Sequence, residues 1–189
     1  LEYGVQALQM SRQINNQILL ASSLNAVSSN NTLLGNLETA KTYIEEELKA
    51  AQAIGDLNLE ANATNSLAVY YESTGDIKQG IALYQKVIDA LGQLGERDGQ
   101  AWVRLNLAGA QINFGELQAA INNLNLSLEY YRATNRAFEE GRTHELLGSI
   151  ANVAGNIAEA LLHYEDALPL YRKTKNRNWE GRCLMKLGN

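Results

Sequence analysis

The stretch Phe114–Ala120, FGELQAA, decides the fold because the chain repeats its pattern three more times. Similar strings stand at 34–40 (LGNLETA), 74–80 (TGDIKQG) and 154–160 (AGNIAEA). A fixed period in this range predicts a fold made of stacked repeats, each of them one supersecondary unit. The second residue of each string is a glycine, and these glycines are equally spaced along the chain: Gly35, Gly75, Gly115 and Gly155.

Three further columns of residues keep the same register and predict how each repeat packs. One column is large and apolar, the next is small, and the third, which follows the turn, is small again. At helical spacing the large apolar residues lie on a face that must be buried, and the small residues let two helices approach closely. The columns are Val27, Leu67, Leu107, Leu147 and Leu187; Ser28, Ala68, Ala108, Gly148 and Gly188; and Ala40, Gly80, Ala120 and Ala160.

The turn between the two helices of a repeat has its own signature. Each turn glycine can adopt the left-handed conformation that ends a helix. The next residue predicts the start of the second helix, since Asn36, Asp76 and Asn156 are good N-caps. Glu116 stands at the same place in the third string, and Asn156 with Glu159 has the spacing of a capping box.

These signals predict an all-α fold, a right-handed superhelical α-solenoid of antiparallel helix pairs with a 40-residue period. The links between repeats are long enough only for a tight turn, so we expect a single solenoid without a domain boundary. Pro169 lies inside a second-type helix and predicts a bend or an early stop near Glu165–Pro169. The expected segments are a half repeat at 1–14, repeats at about 18–54, 57–94, 98–134 and 138–174, and a half repeat at 178–189.

Composition narrows the classes of function. The only cysteine, Cys183, excludes an intramolecular disulfide and a cysteine-rich metal site, and it favours a reducing, cytoplasmic compartment. The net charge of −5 argues against nucleic acid, whose phosphates need clustered lysine and arginine. The sequence lacks an apolar run of about 18 residues, which argues against a membrane span. Because the chain begins at Leu1 and stops within a repeat, we expect a segment of a longer protein.

Two strings indicate which repeat this is. NSLAVYYESTGDIKQGIALYQKVI (65–88) and LNLAGAQINFGELQAAINNLNLSL (105–128) combine leucine and a small residue, a turn glycine and a small residue after the turn. They resemble the tetratricopeptide repeat, and the resemblance extends over essentially the whole chain. The long 40-residue variety is similar to the repeats of kinesin light chain and of spindle-orientation adaptors, and EEGRTHELLG (139–148) and WEGRCLMKLG (179–188) are most like the latter. Similar arrays occur in bacterial regulatory proteins.

The resemblance implies a concave surface, lined mainly by the first helix of each pair, that binds an extended or helical peptide. We therefore expect a non-enzymatic protein–protein interaction scaffold whose partner is a protein or peptide, with an acidic one suited to the arginines. Counting along the first helices from the Leu67 column gives the residues that face this groove. They are Asn62, Asn65, Val69, Trp102, Leu105, Asn106, Arg142, Glu145, Ser149 and Arg182.

Two sets of groove residues have a specific chemistry, and each set leaves an alternative open. Asn25, Asn65 and Asn106 can grip a peptide backbone because an amide both donates and accepts hydrogen bonds. The alternative is that these asparagines are solvated or cap neighbouring helices. Arg142 and Arg182 can bind a carboxylate through their guanidinium forks, or they can pair with nearby glutamates.

The remaining candidates indicate no catalytic or metal chemistry. Trp102 is either an exposed affinity anchor or a residue that packs against the adjacent helix. His144 and His163 lie on helices of different type, without a further ligand at zinc spacing, so they are interpreted as packing or surface residues. Cys183 is interpreted as a packing residue. We expect no enzyme activity, no cofactor and no metal.

Two other functions compete with the peptide-binding scaffold. One is a regulatory sensor, in which peptide binding tightens the superhelix and switches an effector domain elsewhere in a longer protein. The other is structural, because half repeats at both ends leave apolar faces through which solenoids can self-associate.

Overall fold

The computed structural model describes residues 2–188, which form ten α-helices and no β-strand. The prediction of an all-α repeat fold is confirmed, and none of the helices in these residues is both long and apolar enough to cross a membrane. The helices are α1 (Glu2–Gln13), α2 (Gln17–Leu33), α3 (Leu37–Ile54), α4 (Leu57–Thr74), α5 (Ile77–Gln93), α6 (Arg97–Phe114), α7 (Leu117–Ala133), α8 (Ala137–Val153), α9 (Ile157–Lys173) and α10 (Arg177–Leu187).

The helices alternate between two types, and each type recurs at equal intervals along the chain. The first-type helices, α2, α4, α6, α8 and α10, begin at Gln17, Leu57, Arg97, Ala137 and Arg177. The second-type helices, α3, α5, α7 and α9, begin after the turn glycines, at Leu37, Ile77, Leu117 and Ile157.

The chain divides into two compact units, one up to Glu96 and one from Arg97 onward. In the first unit α2 packs on α3 and α4 packs on α5, and in the second unit α6 packs on α7 and α8 packs on α9. Short turns join the helices of each pair, so the pairs are antiparallel. A single right-handed superhelix through both units stays a prediction.

The turn glycines adopt the predicted conformation, and the residues that follow them occupy the N-cap positions, but most of these residues lack a capping hydrogen bond. All four glycines have φ between 77° and 92°, in the left-handed region. Of the four residues that follow them, only the Asp76 side chain accepts a backbone N–H bond, from Gln79. The Asn156 side chain instead donates to the Glu159 carboxylate at 2.6 Å, and the Asn36 side chain donates to that of Asn31 at 3.3 Å. A competing side-chain partner thus replaces the expected backbone cap.

The small columns let the helices of a pair touch, as predicted. In the first unit, a Cβ atom on Gly80 would lie 3.0 Å from the carbonyl oxygen of Ala68. In the second unit, a Cβ on Gly148 would lie 2.7 Å from Cε1 of Tyr164. Such distances leave no room for a larger residue unless the neighbour moves.

Helix α9 continues through Pro169 to Lys173, so the predicted early stop is wrong. Proline lacks the N–H that would bond the carbonyl of Glu165. Glu165 and Pro169 both lie on the exposed side of α9, where water can satisfy that carbonyl. The other side of the helix holds Tyr164 and Tyr171 in the core, and their burial keeps α9 in place beyond the proline.

Candidate functional site

Three first-type helices of the second unit bring two arginines and two tryptophans together. Trp102 comes from α6, Arg142 from α8, and Trp179 and Arg182 from α10. The guanidinium carbon of Arg142 lies 5.2 Å from the ring centre of Trp102 and 5.3 Å from that of Trp179. A cation is attracted to an aromatic face within about 6 Å of its centre. We call these four residues the arginine–tryptophan cluster.

The repeat explains why these side chains meet. Trp102, Arg142 and Arg182 occupy the same position in successive first-type helices, each one repeat period after the last. Trp179 stands three residues before Arg182, on the same face of α10. The Arg182 guanidinium carbon lies 4.3 Å from the Trp179 ring centre, so the two arginines lie against one indole.

Arg142 has aromatic neighbours, and in the part of the chain that the structure describes no acid forms an ion pair with it, although Glu145 acts on its charge from a longer distance. Within residues 2–188, the structure records no hydrogen bond or ion pair from its guanidinium group. The side chain is half-buried, and this burial lowers the pKa of Arg142 from its ordinary value. Arginine still keeps its charge at neutral pH, because a guanidinium group loses its proton only in strongly basic solution. The result is a partly desolvated cation whose N–H donors have no recorded acceptor.

Arg182 differs from Arg142 because it pairs with a buried carboxylate. Glu145 is 3% exposed, and its Oε1 lies 3.2 Å from Nη2 of Arg182 and 3.2 Å from Nζ of Lys186. The Tyr171 hydroxyl donates to Oε2 of Glu145 at 2.9 Å. Of the two alternatives left open by the sequence, Arg182 therefore follows the glutamate pairing and Arg142 does not.

The other predicted groove residues of the second unit divide by burial. Asn106 and Ser149 are half-buried, and the Ser149 hydroxyl accepts a hydrogen bond from Lys186 at 2.7 Å. Trp102 is 41% exposed, so it does not pack fully against an adjacent helix. Leu105 and Glu145 were expected to line the groove, but both are almost fully buried and can only support it from beneath. Leu105 is buried because it packs in a core cluster with Leu124 of α7 and Leu147 of α8, and Glu145 because Tyr171 and Arg182 contact it from α9 and α10.

In the first unit the predicted residues follow a different pattern. Asn62 is exposed, and Asn65 and Val69 are half-buried. The Asn25 side chain donates to Oε1 of Glu47 and to the hydroxyl of Ser66, both at 2.9 Å. Asn25 therefore has a structural role in satisfying a buried carboxyl group.

Glu47 is the buried acid of the first unit. It is 2% exposed, and its hydrogen-bond partners are the neutral side chains of Asn25 and Ser28. Burial raises the pKa of Glu47 from 4.5 to about 7, against smaller opposing effects of the hydrogen bonds from Asn25, Ser28 and Ser66. The sequence did not indicate this buried group, because Glu47 belongs to the acidic run EEE at 45–47, a pattern typical of a solvated helix face.

The sequence analysis also missed Trp179 and Tyr171, which complete the second-unit site. The signal for Trp179 was present, because tryptophan and arginine three residues apart share a helix face. Tyr171 had no such signal, since it reaches Glu145 from a second-type helix 26 residues away.

Comparison with known proteins identifies the repeat. A model of the tetratricopeptide repeat matches residues 59–133. Residues 59–133 carry tetratricopeptide repeats. Such repeats generally mediate protein–protein interaction. No curated protein sequence matches this chain.

Several solved structures share the fold. BtubC (BKLC) from P. vanneervenii is 15% identical, with a TM-score of 0.77 over 99% of this chain and 87% of that chain. A STAND protein with a tetratricopeptide repeat sensor from Pyrococcus horikoshii is 14% identical, with a TM-score of 0.76 over 91% of this chain and 27% of that chain. PilF of Pseudomonas aeruginosa is 17% identical, with a TM-score of 0.65 over 91% and 77%. At these identities the likeness shows the fold alone.

The helix pair α8–α9 also brings together three groups that the sequence analysis treated as unrelated. Nδ1 of His144 on α8 lies 3.1 Å from Nδ1 of His163 on α9 and 3.7 Å from Oδ2 of Asp166, also on α9. Burial lowers the pKa of His144 from its ordinary value. Nε2 of His144 faces Nη2 of Arg132 at 3.0 Å. We call His144, His163 and Asp166 the histidine–aspartate group.

Proposed function

We propose that the second unit of this tetratricopeptide-repeat chain binds a carboxylate-bearing segment of a partner protein at the arginine–tryptophan cluster. The observation that carries the proposal is Arg142, a half-buried guanidinium group between two indoles without a recorded hydrogen bond or ion pair in residues 2–188. Burying a charge without a partner is costly, and a bound carboxylate would remove that cost.

The surroundings of Arg142 suit an acidic side chain or a peptide C-terminus. A guanidinium group binds a carboxylate through two parallel N–H bonds, and partial burial strengthens them. The exposed part of Trp102 offers an apolar surface for the residue next to the carboxylate. Asn106 is on the same helix one turn later, where its amide is suited to a peptide backbone.

Arg182 supports the site without being its anion receptor. Glu145 already pairs with its guanidinium group, and that group stacks on Trp179 at 4.3 Å. The pairing holds the Trp179 ring where Arg142 contacts its face. Two equivalent arginines of the repeat thus have different roles.

The test is a peptide-binding comparison of Arg142 variants. An array of random eight-residue peptides with free C-terminal carboxylates, beside the same array amidated, supplies ligands for affinity measurement by fluorescence polarisation. Arg142→Ala should weaken binding by roughly 10–100-fold, as expected for loss of a charge-assisted hydrogen-bonded pair. Arg142→Lys should recover part of the affinity because it keeps the charge but loses the fork.

The matched control is Arg177→Ala, which removes the same charge from an exposed position at the start of α10. It should change the affinity less than about twofold, because exposed charges are screened by solvent. Equal losses for Arg142→Ala and Arg177→Ala would reduce the proposal to non-specific attraction. Unchanged affinity in Arg142→Ala would refute it.

A regulatory sensor is the second candidate. It is favoured by the likeness to the STAND protein with a tetratricopeptide repeat sensor, of which this chain covers 27%. In such an arrangement, peptide binding to the repeats would control an effector domain of a longer protein. The full reading frame tests this candidate, because an adjoining effector domain supports it and the lack of one contradicts it.

A further inference from the structure

The histidine–aspartate group has a donor set and a shape that suit a metal ion. His163 and Asp166 are three residues apart on α9 and so share a helix face, and His144 approaches them from α8. One ligand atom from each residue can be chosen so that all three lie within 4.8 Å of one another. The group shares no residue with the arginine–tryptophan cluster.

The distances are close to those around a tetrahedral ion. Two atoms bound to one Zn²⁺ at about 2.0–2.1 Å in tetrahedral geometry lie about 3.3–3.4 Å apart. The Nδ1 atoms of His144 and His163 are 3.1 Å apart, and Nδ1 of His144 is 3.7 Å from Oδ2 of Asp166. Small side-chain rotations would bring the three atoms to a common centre.

An ion can reach the group from solvent. The group lies at a cavity of about 380 Å³ formed by α7, α8 and α9. His144 is 2% exposed at its inner end, and the Asp166 side chain is 61% exposed at its mouth. Glu159, one turn before His163 on α9, lines the same cavity and offers a further oxygen. Three protein ligands would leave the fourth position for water or for this carboxylate.

The geometry points to a binding site for a divalent transition-metal ion of the Zn²⁺ type at His144, His163 and Asp166. Two imidazoles and one carboxylate suit Zn²⁺ and its neighbours in the first transition row. Ca²⁺ and Mg²⁺ prefer oxygen ligands throughout and would not select this group. By joining α8 to α9, the ion would stabilise the second unit.

Arg132 determines which tautomer of His144 is present before an ion binds. Because Arg132 only donates, Nε2 of His144 accepts, and the imidazole proton is on Nδ1, directed at His163. Metal binding at Nδ1 requires this proton to leave, while Nε2 takes one up, so the tautomer change releases no net proton. The new N–H then faces Arg132, which must turn away. The Arg132 side chain is 55% exposed, so it has room to turn into solvent. Its ion pair with Glu140 involves Nε and not the Nη2 atom that faces His144.

The test is titration of the whole chain with Zn²⁺ by isothermal calorimetry after removal of metal by chelator, with Co²⁺ absorption spectra as a second readout. We expect one equivalent to bind and the melting temperature to rise, because the ion binds the folded state. His163→Ala should weaken binding at least about 30-fold and Asp166→Asn about 10-fold. Glu165→Gln, an exposed acid next to Asp166, is the control and should stay within about twofold of the original chain.

Arg132→Gln gives a result that a non-specific surface site would not. Glutamine can accept the Nε2 proton that metal binding creates, so this variant should bind Zn²⁺ about 3–10-fold more tightly. Binding that is unchanged in His163→Ala and Asp166→Asn would overturn the proposal, as would an absence of binding at millimolar Zn²⁺. If His163→Ala fails to fold by circular dichroism, Asp166→Asn still decides, because Asp166 is exposed.

Discussion

Each unit of the molecule buries one glutamate, and the two are satisfied by opposite means. Glu47, in the first unit, accepts hydrogen bonds from the neutral side chains of Asn25 and Ser28. Glu145, in the second unit, faces the cations Arg182 and Lys186 and the hydroxyl of Tyr171. Both are at most 3% exposed, so the difference lies in their partners.

The comparison teaches that equal burial has different consequences when the partners differ. Without a cation, burial opposes the charge, and the pKa of Glu47 rises to about 7. With two cations, the carboxylate becomes the anchor that orders Arg182 and, through it, the tryptophan beside Arg142. Glu47 has no cation beside it and binds a proton more readily, whereas Glu145 pairs with Arg182 and Lys186.

The largest expected effect is the loss of the anchor in the second unit. Glu145→Ala should lower the free energy of unfolding by about 3 kcal/mol, because the buried Tyr171 hydroxyl loses its acceptor and two cations lose their partner. Urea denaturation measures the change. Glu165→Ala on the exposed side of α9 is the control, and a loss below about 1 kcal/mol in Glu145→Ala would break the comparison.

Neutralising the other acid should have the opposite sign. The folded-state pKa of Glu47 is raised, so the folded chain holds this proton more tightly than the unfolded chain. Its contribution to stability is fully present below about pH 4.5 and is lost as the pH rises through about 7, by up to about 3 kcal/mol. Glu47→Gln stays neutral and should therefore be more stable than the original chain at pH 8.

Denaturation curves at pH 5 and pH 8 check this prediction for the original chain and for Glu47→Gln. The pH dependence between these values should shrink in the variant. Glu45→Gln, which changes an exposed acid on the same helix, should leave the dependence intact. An unchanged pH dependence of stability in Glu47→Gln would contradict the raised pKa of Glu47.

The two units also differ in how tightly their helices pack around a glycine. Gly148→Ala would place a methyl group 2.7 Å from the Tyr164 ring, whereas Gly80→Ala meets a carbonyl oxygen at 3.0 Å. Overpacking costs about 1–3 kcal/mol, and replacing a helical glycine returns up to about 1 kcal/mol. We expect a net loss of about 1–2 kcal/mol at Gly148 and a smaller loss at Gly80. Thermal melting of both variants checks the order, which the reverse ranking would contradict.

The smallest effect should come from Arg182. Its side chain is 52% exposed, and Lys186 would still pair with Glu145 in Arg182→Ala. We expect a loss below about 1 kcal/mol by urea denaturation, as for other exposed ion pairs. A loss above about 2 kcal/mol would be more than an exposed ion pair contributes. It would show that Lys186 does not replace Arg182 as the partner of Glu145.

The sequence predicted those features that depend on residues close together in the chain. The turn glycines and the alternating helices follow from local periodicity, and they were placed correctly. Asn36 and Asn156 occupy the predicted N-cap positions, but their side chains donate to Asn31 and Glu159 and make no capping bond.

The site was harder to predict because its contacts cross helices. Counting along α6 and α8 placed Leu105 and Glu145 on the groove, yet each is buried, since one residue step turns a helix by about 100°. Which arginine pairs with Glu145 depends on a contact 37 residues away. The meeting of His144 and His163 likewise needs the packing of α8 on α9, which spacing alone does not specify.

The shared position of Trp102, Arg142 and Arg182 has a consequence for how recognition can change. The columns that fold the repeat are other residues, so this position can be exchanged one repeat at a time with little effect on the fold. Duplication and divergence of single repeats would therefore supply different combinations of aromatic and cationic residues at this position. A chain of this kind can acquire a new partner through substitution of three residues, while the residues that pack the repeats stay unchanged.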